Sequence, residues 1–227
     1  MPRQARAVFP KVPHHITQRG NRREDVFFSD DDRQYYLDCL KDYCEQHDVE
    51  VLAYCLMDNH IHLVLVPATD TGLQDVLKPL HMRYAQRVNK LKNWKGHVWQ
   101  GRYFSSPLDD DYTWAAIRYV ERNPVRAKLS RKAEKYRWSS AAGHCRLVDD
   151  PVITRQVGWQ KQFNGIGDWS AWLAEGDNTE EMTQLRHHVD KGLPCGSETF
   201  IRKLERLAGR ALSFKPQGRP KRVSDNE

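Results

Sequence analysis

The stretch from Val49 to Val66 leaves the chain few ways to fold. Val49 to Met57 and His60 to Val66 are both β-rich runs, and only Asp58-Asn59 separates them, so they predict a hairpin with a two-residue turn. A first strand is expected at His14 to Arg19, closed by the turn signal Gly20-Asn21. Ser29 and the acidic run Asp30 to Asp32 cap free amides and suit the positive end of a helix dipole, so a helix is expected from Asp31 to His47. A second helix is expected over Gly72 to Leu91, where Leu73, Leu77, Leu80, Tyr84, Val88 and Leu91 recur at three-and-four spacing. Pro79 should kink that helix or mark its true start.

A short strand near Arg102 to Pro107 then leads to a third helix, opened by Asp109 to Asp111 and stopped near Asn123-Pro124. The order β, α, β, β, α, β, α describes an α+β chain. It predicts a ferredoxin-like split βαβ antiparallel sheet with helices on one face. Beyond about Arg131 the pattern breaks into shorter pieces at Gly165 to Gly167 and Gly176 to Asn178. The expected organisation is a main domain over 1–145, a small helical extension over 146–213 and a basic tail over 214–227. Within the extension, Asn178 with Glu181 reads as a capping box, and Leu193 to Gly196 reads as a turn. Ser197-Glu198 opens a helix bearing Phe200, Ile201, Leu204 and Leu207 before Gly209, which is helix-turn-helix-like spacing.

With 39% hydrophobic and 29% charged residues, and no apolar stretch near the roughly 20 residues that span a bilayer, membrane crossing is not expected. The basic N-terminus MPRQARAVFP lacks the apolar core of a secretory signal, so a cytoplasmic location is expected. Cys39, Cys44, Cys55, Cys145 and Cys195 form an odd set without a CxxC pair, which argues against a disulfide framework or a cysteine zinc module. They read as reduced and structural.

The net charge of +6 matters through its placement. No acid precedes Glu24, while Arg3, Arg6, Lys11, Arg19, Arg22 and Arg23 are basic. None lies between Asp75 and Asp109, where Lys78, Arg83, Arg87, Lys90, Lys92, Lys95 and Arg102 interleave with Tyr84, Trp94, Trp99 and Tyr103. A third cluster runs from Arg202 to Arg222 and contains Gly218-Arg219-Pro220-Lys221-Arg222, similar to the minor-groove core of an AT-hook. One charged run is usually a solvated face. Three such clusters, one with aromatic rings among the cations, point to a polyanion whose phosphates are neutralised and whose bases stack, as single strands require.

The candidate chemistry lies in His60-Ile61-His62. Residues two apart on a strand share a face, so both imidazoles project together and can share a metal ion. Two strand histidines satisfied by hydrogen bonds are the plain alternative. Histidine-triad hydrolases need a third histidine where this chain has Val64, and the twin-HxT phosphoesterases need a second motif beside His15-Ile16-Thr17 that is absent. At 100° per residue, Trp114, Ile117 and Val120 form the expected core stripe of the third helix, and Tyr119 falls off it with Ala115 and Asn123 on its own side. Asn123 reads equally as a metal ligand and as the asparagine that ends a helix before proline. A tyrosine hydroxyl attacking a phosphodiester stores the bond energy as phosphotyrosine, which a free 3′-hydroxyl can reverse without ATP. A divalent metal beside it steadies the phosphate charge. An imidazole pair with an oxygen ligand accepts Mg²⁺ or Mn²⁺, and by ligand type alone Zn²⁺ equally. Tyr112, two turns earlier on nearly the same face, is the rival nucleophile.

These residues resemble the single-tyrosine HUH (IS200-like) transposases, and within them the REP-associated tyrosine transposases. The resemblance is carried by Pro13-His14-His15-Ile16-Thr17-Gln18-Arg19-Gly20-Asn21-Arg22, Met57-Asp58-Asn59-His60-Ile61-His62-Leu63, Trp99-Gln100-Gly101-Arg102-Tyr103, Tyr119 to Ala127 and Trp138-Ser139-Ser140, in the expected order over about the first 145 residues. It implies a ferredoxin-like nuclease in which His60 and His62 ligate the metal, Asn123 is a third ligand and Tyr119 becomes 5′-phosphate linked. It further implies hairpin-bearing single-stranded DNA as partner, contacted by Arg19, Arg22, Arg23, Arg83, Arg87, Lys90, Arg102 and, in the tail, Arg219. Two rivals remain: a hairpin-binding protein without chemistry, disfavoured by the intact His60, His62 and Tyr119 set, and a hydrolase of small phosphoesters, disfavoured by the basic aromatic stretch from Val76 to Leu108.

Overall fold

The computed structural model describes residues 6–154, 165–176 and 179–212. Its centre is a four-stranded antiparallel sheet of β1 (His14–Arg19), β2 (Val49–Met57), β3 (His60–Pro67) and β4 (Phe104–Pro107), in the order β2-β3-β1-β4. Two crossovers build it: α1 (Asp30–Gln46) joins β1 to β2, and α2 (Gly72–Lys92) joins β3 to β4. Each crossover therefore skips one strand, which leaves β3 and β1 side by side in the middle, as the split βαβ order requires.

β3 has apolar residues on both faces. Ile61, Leu63 and Leu65 enter one buried cluster with Tyr36, Leu40, Leu73, Leu77, Leu80 and Tyr84 of α1 and α2. Val64 and Val66 enter a second with Ala53, Cys55 and Met57 of β2 and with Ala116, Ile117 and Val120 of α3 (Asp110–Glu121). Helices on one face therefore describe α1 and α2, while α3 covers the opposite face. Both sides of the sheet are apolar, and leaving either wet would forfeit roughly 1.5–3 kcal/mol for each large aliphatic side chain.

The helix ends follow the expected chemistry. Ser29 accepts from the Asp32 amide, and α1 runs from Asp30 to Gln46. Asp109 caps α3 by accepting from the Tyr112 amide at 3.0 Å. Pro79 lies inside a continuous α2 that begins at Gly72, so it is not the start of the helix. In α3, Thr113, Ala116, Ile117, Tyr119, Val120 and Glu121 are buried, so Tyr119 joins the buried side it was expected to avoid. Trp114 is instead half-buried and meets Trp169 and Trp172 at ring-centre distances of 6.4 and 6.5 Å. The expected stripe was rotated because the outer side of α3 is itself covered.

That cover comes from the last third of the chain. After the short helices α4 (Asn123–Arg126) and α5 (Ala141–His144) come α6 (Trp169–Ala174), α7 (Thr179–Lys191) and α8 (Glu198–Ala208). α6 and α7 add Trp169, Leu173, Met182 and Leu185 to the α3 cluster. The turn between α7 and α8 extends the β4 edge, with Cys195 N donating to Pro107 O (2.8 Å) and Asp109 N to Cys195 O (3.2 Å). Ser197 caps α8, Gly209 ends it at φ +61°, and Leu204 packs on Phe9 and Leu212. The expected capping box depends on Asn178, which lies outside the described residues, as does the basic tail with Arg219. None of the five cysteines is in a disulfide.

Candidate active site

Strand parity decides what meets under α3. Across the antiparallel β1–β3 pair, Thr17 stands opposite His62, Arg19 opposite His60 and His15 opposite Val64, so His15, Arg19, His60 and His62 all belong to the α3 face. The His60 and His62 rings lie 5.0 Å apart, centre to centre. Tyr119, on the second half of α3, comes down on this group: its ring centre is 5.5 Å from His62 and 5.7 Å from His15. The tyrosine is 7% exposed. Tyr112 gives its hydroxyl hydrogen to Gln184 Oε1 of α7.

Each histidine of the pair has one ring nitrogen committed. His60 Nδ1 meets Asn59 Oδ1 at 2.6 Å, and His62 Nδ1 meets His15 Nε2 at 3.0 Å. Nε2 is thus the nitrogen of each ring left for another partner. Burial pushes His60 down to about 4, helped by Arg19. His15 falls to about 3 through burial, with Arg126 adding to it. His62 is held well below the usual imidazole range by burial, by its two histidine neighbours and by Arg126 and Arg19. All three rings are neutral near pH 7, the state in which an imidazole can ligate.

A divalent metal fits these residues in part. Among the described residues no group of three His, Cys, Asp or Glu is placed to hold an ion, and His60 and His62 are the pair whose Nε2 atoms are open to one. Asn123, the first residue of α4 and one helical turn beyond Tyr119, is 9% exposed, and its side-chain Nδ2 has no hydrogen-bond partner among the described residues. An unsatisfied amide N–H calls for an acceptor such as a phosphate oxygen, while the Oδ1 of the same side chain is the atom that could ligate a cation.

The basic residues divide. Arg19, Arg22, Arg23 and Arg102 are exposed at the His60 end of the sheet. There Gly20 N donates to Asn59 O (2.8 Å), Gln100 N to Arg19 O (2.9 Å) and Asn59 Nδ2 to Arg23 O (3.1 Å). Arg22 and Arg23 sit in the left-handed region at φ +55° and +65°. A Cβ on Gly20 would stand 2.2 Å from the Glu24 carbonyl, so only glycine permits this turn. Arg83, Arg87 and Lys90 lie on α2, across the sheet from the histidines. Arg83 donates to the Tyr35 hydroxyl (2.9 Å), and Arg87 lies over the Tyr35 ring and 3.6 Å from Asp32.

Three groups at the site escaped the sequence reading as site residues. His15 carried a signal, since a strand paired with β3 presents every second residue to the same face. Arg126 lies seven residues beyond Tyr119 and stacks on its ring at 4.1 Å, also legible from helical spacing. Arg186 of α7, whose guanidinium carbon is 5.6 Å from the ring centre, had no local signal.

Comparison with known proteins bears on the family and the fold. The chain is 27% identical over 90 residues to the ISDra2 transposase TnpA of Deinococcus radiodurans, a match covering 37% of this chain and 64% of that relative, so under two thirds of its length is spanned. The fold is similar to that of a REP-associated tyrosine transposase solved bound to a REP hairpin, with a TM-score of 0.51, 16% identity and coverage of 69% of this chain and 93% of the other. Residues 9–123, just over half of the 227, match the family described as IS200-like transposases, and the chain belongs to that family.

Proposed function

We propose that this transposase-family protein nicks and rejoins single-stranded DNA through a 5′-phosphotyrosine on Tyr119, aided by a divalent metal, Mg²⁺ or Mn²⁺. The observation that carries the reading is the convergence of Tyr119 with His60 and His62, brought by two separate elements onto one face of the sheet. His60 and His62 would hold the metal by Nε2, with Asn123 as the third ligand. The bound metal supplies Lewis-acid stabilisation of the scissile phosphate.

The chain's own residues do the rest. Asn59 and His15 hold the two rings in place through Nδ1. Arg126, over the Tyr119 ring and 2.5 Å from its carbonyl oxygen, keeps the side chain aimed at the histidines. Tyr119 Oη attacks phosphorus, and the 3′-oxygen departs as a hydroxyl that can later reverse the step. Arg19, Arg22, Arg23 and Arg102 form a cationic rim at the His60 end, suited to phosphates entering the site. Arg83, Arg87 and Lys90 would engage DNA only if it wraps to the α2 side. The named partner of the structural neighbour is a hairpin, and hairpin-forming palindromic repeats are the substrate proposed for this chain.

The test is incubation of labelled single-stranded hairpin DNA with the protein and Mg²⁺ or Mn²⁺, with and without EDTA, read on denaturing gels for cut strands and protein-linked label. A metal-dependent adduct that survives in Tyr112→Phe and is lost in Tyr119→Phe is expected. Tight binding without cutting on several hairpins and both metals would replace this reading with that of a hairpin-binding protein.

A further inference from the structure

α7 brings a cation to the proposed nucleophile. Met182, Leu185 and Val189 are its buried residues, and Met182 and Leu185 share the cluster of Ala116, Ile117, Tyr119 and Val120. Arg186 follows Leu185 on the exposed side, and its Nε donates toward Tyr119 Oη at 3.4 Å. Tyr119 is therefore flanked by two guanidinium groups, Arg126 on its ring and Arg186 at its hydroxyl. They differ in access. Arg126 is half-buried and bound to the backbone of α3, whereas Arg186 is exposed, and among the described residues no carboxylate pairs with it. Arg118, by contrast, is paired with Glu175 at 3.5 Å and Arg87 with Asp32 at 3.6 Å. α7 and the turn after it are tied to the domain, by Tyr112 to Gln184 within the helix and by Ser106 Oγ donating to Leu193 O (2.5 Å) just beyond it.

We propose that Arg186 is a catalytic residue of the strand-transfer reaction, supplied by the C-terminal extension. Its Nε orients the Tyr119 hydroxyl, and its terminal N–H groups take a non-bridging oxygen of the scissile phosphate. An unpaired planar guanidinium is suited to that fork of contacts. In the step it assists, the Tyr119 Oη–P bond forms and the P–O3′ bond breaks. The hydroxyl proton passes to water, and the leaving 3′-oxygen takes a proton from water. No oxidation occurs, and the guanidinium keeps its charge throughout. This assignment rests on Tyr119 being the nucleophile.

The test uses the full chain, single-turnover adduct formation on labelled hairpin DNA with Mn²⁺, and the variants Arg186→Ala, Arg186→Lys and Tyr119→Phe. Arg186→Ala is expected to form adduct about 100-fold more slowly, the usual loss on removing one donor to transition-state charge. Its hairpin affinity and melting temperature should stay near those of the parent, Arg186→Lys should recover part of the rate, and dilute guanidinium should restore rate to Arg186→Ala alone. Parent-like rates in Arg186→Ala would overturn the assignment, and faster rates would make Arg186 a cover over the tyrosine. A slow variant that melts early and ignores guanidinium would make it a structural contact. A parent protein that forms no adduct lost in Tyr119→Phe would instead sink the nucleophile reading, and this assignment with it.

Discussion

Glu121 is the residue whose loss should most clearly separate holding the nucleophile from performing its chemistry. It lies two residues beyond Tyr119, is fully buried, and its carboxylate accepts from Ser140 Oγ at 2.5 Å and Trp169 Nε1 at 2.8 Å, with His144 Nδ1 at 2.6 Å. These contacts tie the end of α3 to α5 and α6. In Glu121→Leu all three groups lose the carboxylate while remaining buried. Ser140 retains Tyr54 O at 3.4 Å, so its own loss is the smallest of the three. At about 1–3 kcal/mol for each buried group deprived of its partner, the variant should lose about 3–5 kcal/mol. Glu121→Gln turns an amide N–H toward one of these donors and should lose about 2 kcal/mol. Equilibrium urea unfolding measures this directly: with a slope of about 2–3 kcal/mol/M, the Glu121→Leu midpoint should fall by on the order of 1–2 M. A loss below about 1 kcal/mol in Glu121→Leu, at unchanged slope, would refute the argument that this network anchors α3.

Two further outcomes follow from the histidines. For His62 to present Nε2 to a metal ion, its proton must sit on Nδ1 and be donated to His15 Nε2, so His15→Leu should weaken Mn²⁺ binding by about 10–100-fold, with His15→Gln closer to the parent. Calorimetric titration with Mn²⁺ measures this, and equal affinity in His15→Leu would remove His15 from that role. His81, fully inside the α1–α2 core against Tyr36 and Trp99, is lowered by burial to about 3, and His14 to about 4. Their unfolded value is about 6.5, so between it and these folded values the unfolded chain binds more protons and stability falls as pH falls. Between pH 7 and pH 5 each should cost about 2 kcal/mol, and urea midpoints that stay flat over that range would contradict it.

Much of the site was legible before any tertiary contact. An HxH on a strand must point both rings to one face, because the pleat repeats every two residues whatever surrounds it. The β, α, β, β, α, β, α order likewise restricts the sheet to few topologies. These are properties of single elements or of chain order, which local sequence carries. Helical spacing, by contrast, set Tyr119 apart from Ile117 and Val120, and the fold buries all three in one cluster. Trp114 shows where such reading stops. Spacing placed it in the stripe facing the sheet, yet it is half-buried on the outer side against Trp169 and Trp172, because periodicity groups side chains by direction and does not record what arrives to meet them.

The contacts that make the site a candidate for chemistry belong to that second kind. His15 and His62 are 47 residues apart, and Arg186 and Tyr119 are 67 apart. Their meeting depends on β1 lying beside β3, on α3 taking the face that α1 and α2 leave bare, and on α7 closing over α3. By itself the sequence determined the strands, the three long helices of the main domain, the paired orientation of His60 and His62, and the resemblance carried by the motifs around them. Only the tertiary structure decided that Tyr119 comes down on those histidines, that His15 backs His62, and that the extension delivers Arg186, because each is set by how apolar faces pair across the whole chain.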